Sequence, residues 1–131
     1  MVYKNSLLKV LDNSGIKLLK VIKILGYKPQ KSNFDVGCIL VCSVKKTFPL
    51  ARRRIKSSKG DVVRALLIQV KKNKFRQNYG NYNFKSSNSL AVIVNKEGVL
   101  LGSRIKSYVS MDLKYKNNGL KILVLSSLKW F

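Results

Sequence analysis

The chain has 131 residues, 46% of them hydrophobic, and sets 27 Lys and Arg against five Asp and Glu for a formal net charge of +22. Its apolar share and its two prolines, Pro29 and Pro49, exclude a disordered basic arm and predict one domain with a core. The charge argues against a fold that works alone, because self-repulsion destabilises a compact state, whereas phosphates neutralise it and release condensed counterions. Basic residues run from Lys4 to Lys129 between apolar runs, so the folded body itself carries the charge, and nucleic acid is the partner class indicated.

In chain order, β-branched runs bounded by Gly, Asn, Ser and Lys predict strands at Leu7–Leu11, Ile16–Leu25, Val36–Lys46, Asp61–Lys71 and Leu90–Asn95, the pattern of a small all-β domain. Asp12-Asn13-Ser14-Gly15 connects the first two as a tight hairpin, with Asp and Asn accepting turn hydrogen bonds and Gly accepting positive φ. In the third strand Val36, Cys38, Leu40, Cys42 and Val44 share one face, while Ile39 and Val41 make the other face apolar too. That outer face is expected to meet a terminal element, RNA or a protein partner. Loop 47–60 carries Arg52, Arg53, Arg54, Lys56 and Lys59; it is too charged for core, and phosphate contact is expected of it rather than simple solvation. Loop 72–89 interleaves Lys72, Lys74, Arg76 and Lys85 with Phe75, Tyr79, Tyr82 and Phe84, which suits either a projecting hairpin packed on the body or a base-stacking platform. Further on, Gly98–Gly102 reads as a turn and short strand and Met111–Lys116 as one helical turn. Gly119–Leu128 fits helix or strand equally. Trp130 and Phe131 are expected to pack against the body, with a partner contact as the sharper alternative.

The inventory excludes several function classes. The best membrane candidate, Ile16–Leu25, is cut by Lys17, Lys20 and Lys23, far short of the roughly 18 apolar residues a span needs, and no signal or transit peptide is expected. Cys38 and Cys42 are the only thiols and no His is present, so no metal site is expected, and both read as buried core residues. A disulfide between them is not expected, since residues four apart on a strand lie about 13 Å apart. Without His, and with Asp12, Asp35, Asp61, Glu97 and Asp112 scattered, neither paired-acid catalysis nor a nucleotide cradle is indicated; no cofactor is expected and an enzyme is not. Asp12, Asn13, Ser14, Gly15, Gly60 and Asp61 read as structural turn residues.

The order of motifs adds a resemblance. Leu8-Lys9-Val10-Leu11-Asp12-Asn13-Ser14-Gly15, then Val21-Ile22-Lys23-Ile24-Leu25-Gly26, resembles the opening of the universal large-subunit ribosomal protein L-fourteen family. Val36-Gly37, Lys59-Gly60-Asp61-Val62, Val70-Lys71-Lys72, Phe84 and Asn88, Gly102-Ser103-Arg104-Ile105 and Lys121–Leu128 follow in the family's order, so the likeness covers nearly the whole chain. Departures are a lengthened loop after Pro49, Cys38 where an Asp commonly stands, Phe84-Lys85-Ser86-Ser87-Asn88 for a Phe-Asp-Gly-Asn stretch, Lys106-Ser107-Tyr108 for Phe-Gly-Pro, and the Lys129-Trp130-Phe131 end. With 21 Lys and 11 Asn, which suit an AT-rich genome, they suggest a divergent organelle-encoded copy, mitochondrial or alternatively plastid.

The resemblance implies an all-β dominated fold: a closed five-stranded β-barrel over about 6–95 with a projecting ribbon, then short C-terminal helices in a partner-facing segment over about 98–131. It implies a structural constituent of the large ribosomal subunit. The partners it implies are large-subunit rRNA, neighbouring large-subunit proteins, small-subunit rRNA through intersubunit bridges and a ribosome-silencing factor at the C-terminal region. Lys23, Lys71, Lys72, Arg76 and Arg104 match basic positions of its motifs. Arg52, Arg53, Arg54, Lys56, Lys59 and Lys74 join them as rRNA candidates from the residues alone. Two rivals are a nucleoid or single-strand-binding barrel using exposed aromatics, and a cationic protein on anionic lipid, for which the sequence offers no long amphipathic helix.

Overall fold

The computed structural model describes residues 2–26, 36–50, 55–71, 88–116 and 119–126. Where apolar residues alternate with polar ones, or run unbroken, the chain extends as β1 (Leu7–Val10), β2 (Ile16–Ile24), β3 (Ile39–Thr47), β4 (Val62–Gln69) and β5 (Leu90–Val94). Neighbours in sequence pair antiparallel, and β1 closes the barrel against β5 in parallel, Lys9 opposite Leu90 and Val10 opposite Ala91. Closure leaves no open edge for intermolecular pairing. The barrel has two ends. The one holding turn 12–15 also receives the last residues of β3 and β5 and the first of β4; the other holds Ile24, Ile39, Gln69 and Leu90.

Inside the barrel Leu8, Ile16, Leu19, Val21, Leu40, Cys42, Val44, Leu67 and Ile93 are buried, each large aliphatic contributing about 1.5–3 kcal/mol by leaving water. Every residue of β5 and the stretch Ala65–Gln69 of β4 are buried, so both faces of this part of the sheet are covered. The same apolar cluster takes in Ile105, Val109, Leu113, Ile122 and Leu123, so the C-terminal segment supplies part of that cover. Ile39 and Val41, on the second face of β3, are half-buried.

The strands fall where the pattern places them, with shifts that have local causes. β3 starts at Ile39 and not Val36, because Val36 and Gly37 form a turn in which Gly37 takes φ 87° and its amide donates to the Leu67 carbonyl. Met111–Tyr115 is a 3₁₀ turn capped by Ser110, whose hydroxyl accepts from the Asp112 amide. Gly119–Leu125 resolves as helix α1, whose buried Gly119, Ile122 and Leu123 share one face at i, i+3, i+4 spacing while Leu120, Lys121 and Val124 stay exposed. The C-terminal helices are thus one α-helix and one 3₁₀ turn. Residues 72–87, which carry most of the ribbon expected over 72–89, lie outside the described residues, as do Trp130 and Phe131. Neither thiol is in a disulfide; Cys42 is buried, whereas Cys38, read as fully buried core, is half-buried and packs against the core's edge, because it sits at the barrel end just before β3 starts.

Two outcomes test this packing. A Cβ on Gly119 would overlap the Leu113 carbonyl, so Gly119→Ala should force α1 off the 3₁₀ turn and lower stability by about 1–3 kcal/mol in denaturant titration. Burial pushes the Cys42 thiol up to about 12, so a thiol reagent at neutral pH should modify Cys42 only when denaturant unfolds the barrel.

Candidate nucleic-acid interface

Turn 12–15 is the point from which the charged segments are positioned. Leu11 and the β1 strand bring Asp12 to the barrel rim, where it is buried among apolar neighbours and bridges to Ile105. Its Oδ1 accepts from the Ser14 amide at 3.0 Å and from the Ser14 hydroxyl, and its Oδ2 accepts from the Ile93 amide of β5 at 2.8 Å. Asn13 faces the C-terminal segment: its Oδ1 accepts from the Ser103 amide at 2.8 Å and the Arg104 amide at 3.4 Å, and its Nδ2 donates to Ser103 Oγ at 2.9 Å. The backbone finishes the task, as the Ser14 carbonyl accepts from the Ile55 amide and the Gly15 carbonyl from the Phe48 amide. Gly102 lets the chain pass, since a Cβ there would stand 2.8 Å from Asp12 Cβ. Four residues therefore hold β5, both described ends of the basic loop and the Arg104 segment.

Several cations gather at this end. Lys56, Lys59 and Arg104 are exposed, and Gly60 and Asp61 pin the loop's exit to β3, the Gly60 amide donating to the Val44 carbonyl and the Val44 amide to the Asp61 carbonyl. The Asp61 carboxylate accepts from the Ser58 amide at 2.7 Å, closing the turn. Lys17, Lys45 and Lys46 stand exposed on the adjoining ends of β2 and β3 and were missed as site residues by reading the sequence. At the far end lie Lys23 and Lys71, both exposed, with the Lys71 amide 3.4 Å from Ser89 Oγ. The structure thus separates Lys23 and Lys71 from Lys56, Lys59 and Arg104. Arg52, Arg53, Arg54, Lys72, Lys74 and Arg76, with Phe75, Tyr79, Tyr82 and Phe84, lie outside the described residues.

Three β-bulges explain why Lys17, Lys23 and Lys46 are outside. From the inward frame of Leu19 and Val21, strict alternation would put Lys17 and Lys23 inside the barrel, and from Val44 it would put Lys46 there. The β2–β3 register slips by one residue at Lys17, at Lys45 and at Ile22, and each slip turns the neighbouring lysine to solvent. The missed signal was a lysine on an apolar parity.

Chemically, this end offers cations, amides and no reactive constellation; among the described residues no group of His, Cys, Asp or Glu suits a metal ion. Such a body is a small basic closed β-barrel with hydrogen-bonded turns and outward lysines, a surface whose charge is complementary to a polyanion. The family model for ribosomal protein L14p/L23e matches residues 1–129. The large ribosomal subunit protein uL14 of Petrotoga mobilis (strain DSM 10674 / SJ95) is 35% identical over 130 residues, which span 99% of this chain and all of that protein. The chain belongs to the ribosomal protein L14p/L23e family, whose members are structural proteins and not enzymes.

Burial raises the Asp12 carboxyl above its ordinary 3.8, with the hydrogen bonds from Ile93 and Ser14 opposing the shift. Asp12→Asn should cost about 1–3 kcal/mol, because the amide nitrogen faces a backbone donor wherever it points. A raised pKa means that the folded chain holds this proton more tightly than the unfolded chain. Its contribution is therefore fully present below 3.8 and lost as pH rises through the folded value. The stability margin of the wild type over Asp12→Asn should widen as pH falls through that window in denaturant titrations; a narrowing margin would contradict the raised pKa.

Proposed function

We propose that the chain is a structural constituent of the large ribosomal subunit that binds large-subunit rRNA through phosphate contacts and helix shape. Family membership over residues 1–129 carries this reading, and the exposed cations at both barrel ends support its mechanism. Helical RNA presents a deep, narrow major groove that side chains do not read, so affinity comes from phosphates and surface fit, with little sequence readout at each contact. Among the described residues Lys23, Lys71, Lys56, Lys59 and Arg104 are the contacts we propose, and Arg52, Arg53, Arg54, Lys72, Lys74 and Arg76 remain candidates from the sequence.

The finer placement is the intersubunit face, with small-subunit rRNA reached through bridges. α1 supplies a surface for protein neighbours, whether a large-subunit protein or a silencing factor: Leu120 is 62% and Val124 80% exposed, and with Lys121 and Leu125 they line a shallow apolar hollow. We place the chain in a mitochondrial ribosome, with a plastid as the alternative, on its Lys- and Asn-rich composition.

Gradient fractionation of a lysate at low and high salt tests the reading. The tagged chain should follow the large subunit and the monosome in both, and migration with DNA or at the top of the gradient would reject it. If about 6 to 10 phosphates are neutralised, binding of the free chain to rRNA should weaken about 10³- to 10⁵-fold between 50 and 200 mM salt, taking duplex DNA as the upper guide.

A further inference from the structure

The bulged ends of β2 and β3 carry a feature beyond the candidates read from the sequence. Lys17 is the extra residue of one bulge and Lys45 of the next, and Lys46 pairs with Leu18 between them. Three lysines are therefore exposed at adjoining positions of two paired strands, with Lys46 opposite Leu18 and no lysine directly facing another. Diagonal neighbours on paired strands lie about 7–8 Å apart, close to the Debye length of about 8 Å at physiological salt, so repulsion among them is only partly screened. A barrel could avoid it by keeping regular pairing and placing apolar residues at these positions. Instead, two successive slips in register turn Lys17 and Lys46 outward to join Lys45, which alternation already exposes, and bulges of this kind commonly re-aim a side chain for use.

A second observation is independent of the charge. Phe48, half-buried just after β3, is held by its amide hydrogen bond to the Gly15 carbonyl, and the Lys17 Nζ stands over its ring, 5.7 Å from the centroid. The ring fixes the flexible lysine stem before any ligand arrives, which reduces the side-chain entropy lost on binding. The nearest described carboxylates are occupied or remote. Asp12 is buried in its turn, Asp61 holds the Ser58 amide, and Glu97 follows β5, away from the β2–β3 pair.

We propose that Lys17, Lys45 and Lys46, with Phe48 as the positioning residue for Lys17, form a preformed site for consecutive phosphates of an RNA strand, separate from the far-end contacts at Lys23 and Lys71. The site rests on the rRNA-binding reading above and adds to it three cations and the path of one strand across the β2–β3 bulges. Lys56 and Lys59 extend that path along the loop exit.

The test measures binding of the full-length chain to transcribed large-subunit rRNA, and to single-stranded DNA of equal length, over a salt series. The variant Lys17→Gln/Lys45→Gln/Lys46→Gln should reduce the slope of log affinity against log salt by about 2 to 3, because each lost phosphate contact removes about 0.7 to 0.9. The Arg triple variant should restore the slope, and Phe48→Leu should weaken binding while leaving the slope within about one contact of wild type. Circular dichroism and denaturant midpoints confirm that the exposed substitutions leave the barrel folded. A Gln variant with wild-type slope and affinity overturns the site while leaving rRNA binding standing. A wild-type chain that binds rRNA no better than DNA, or with no salt response, overturns the functional reading as well.

Discussion

The buried Asp12 carboxylate is the constraint on which the rest of the structure depends. A chain this basic has few acids to use, and it commits one of them to a rim position where ionisation is disfavoured by burial. What it gains is organisation, since two oxygens collect the Ser14 amide and hydroxyl and the Ile93 amide, which lies 81 residues further along the chain. The carboxylate therefore joins the first hairpin to the last strand next to the parallel β1–β5 seam, where only two residue pairs are in register. A short seam contributes little ladder energy, so the hydrogen bonds that Asp12 collects beside it tie the barrel together where the ladder is shortest.

That staple also locates the charge. Asn13 takes the Arg104 segment, and the Ser14 and Gly15 carbonyls take Ile55 and Phe48, so both described ends of the basic loop start from one rigid turn. Loops positioned by a rigid scaffold keep cations in fixed places without burying them. The three bulges serve the same requirement within the strands. A lysine inside the barrel would lose its hydration with no partner, a cost of several kcal/mol, and a one-residue slip removes that cost for the loss of one ladder pair.

Much of the fold was legible because its signals are local. Five apolar runs, the Asp-Asn-Ser-Gly hairpin and the Lys-Gly-Asp-Val turn each carry their geometry in four to ten residues, and the strands differ from the pattern only near their ends. What escaped was non-local. Whether Gly119–Leu125 is helix depends on packing against the 3₁₀ turn at Leu113, which periodicity does not encode. The bulges escaped because alternation counts residues on one strand, whereas a slip in register is a property of two. Lys17 and Lys46 stand on the apolar parities of their strands, and that phase carried the information. The long reach of Asp12 to Ile93 was hidden for the same reason, although its turn role was plain from its neighbours.

The distribution of cations over two ends explains how so basic a body stays folded. β2 runs nine residues from Ile16 to Ile24, about 26 Å at a rise of about 3.3 Å, so Lys17 and Lys23 mark opposite ends of the barrel. At physiological salt the Debye length is about 8 Å, and charges that far apart on the surface scarcely interact. The +22 charge therefore does not act as a single repulsive sphere; it divides into clusters, each repelling internally and nearly indifferent to the others. Screening makes the fold tolerable, but within one cluster, where diagonal neighbours on paired strands lie about 7–8 Å apart, it is incomplete. That residual repulsion is what an RNA phosphate would relieve, cluster by cluster. On the proposed function, the stability of the barrel and its affinity for RNA are therefore coupled locally: the bulges that keep lysines out of the core concentrate the repulsion that binding would release.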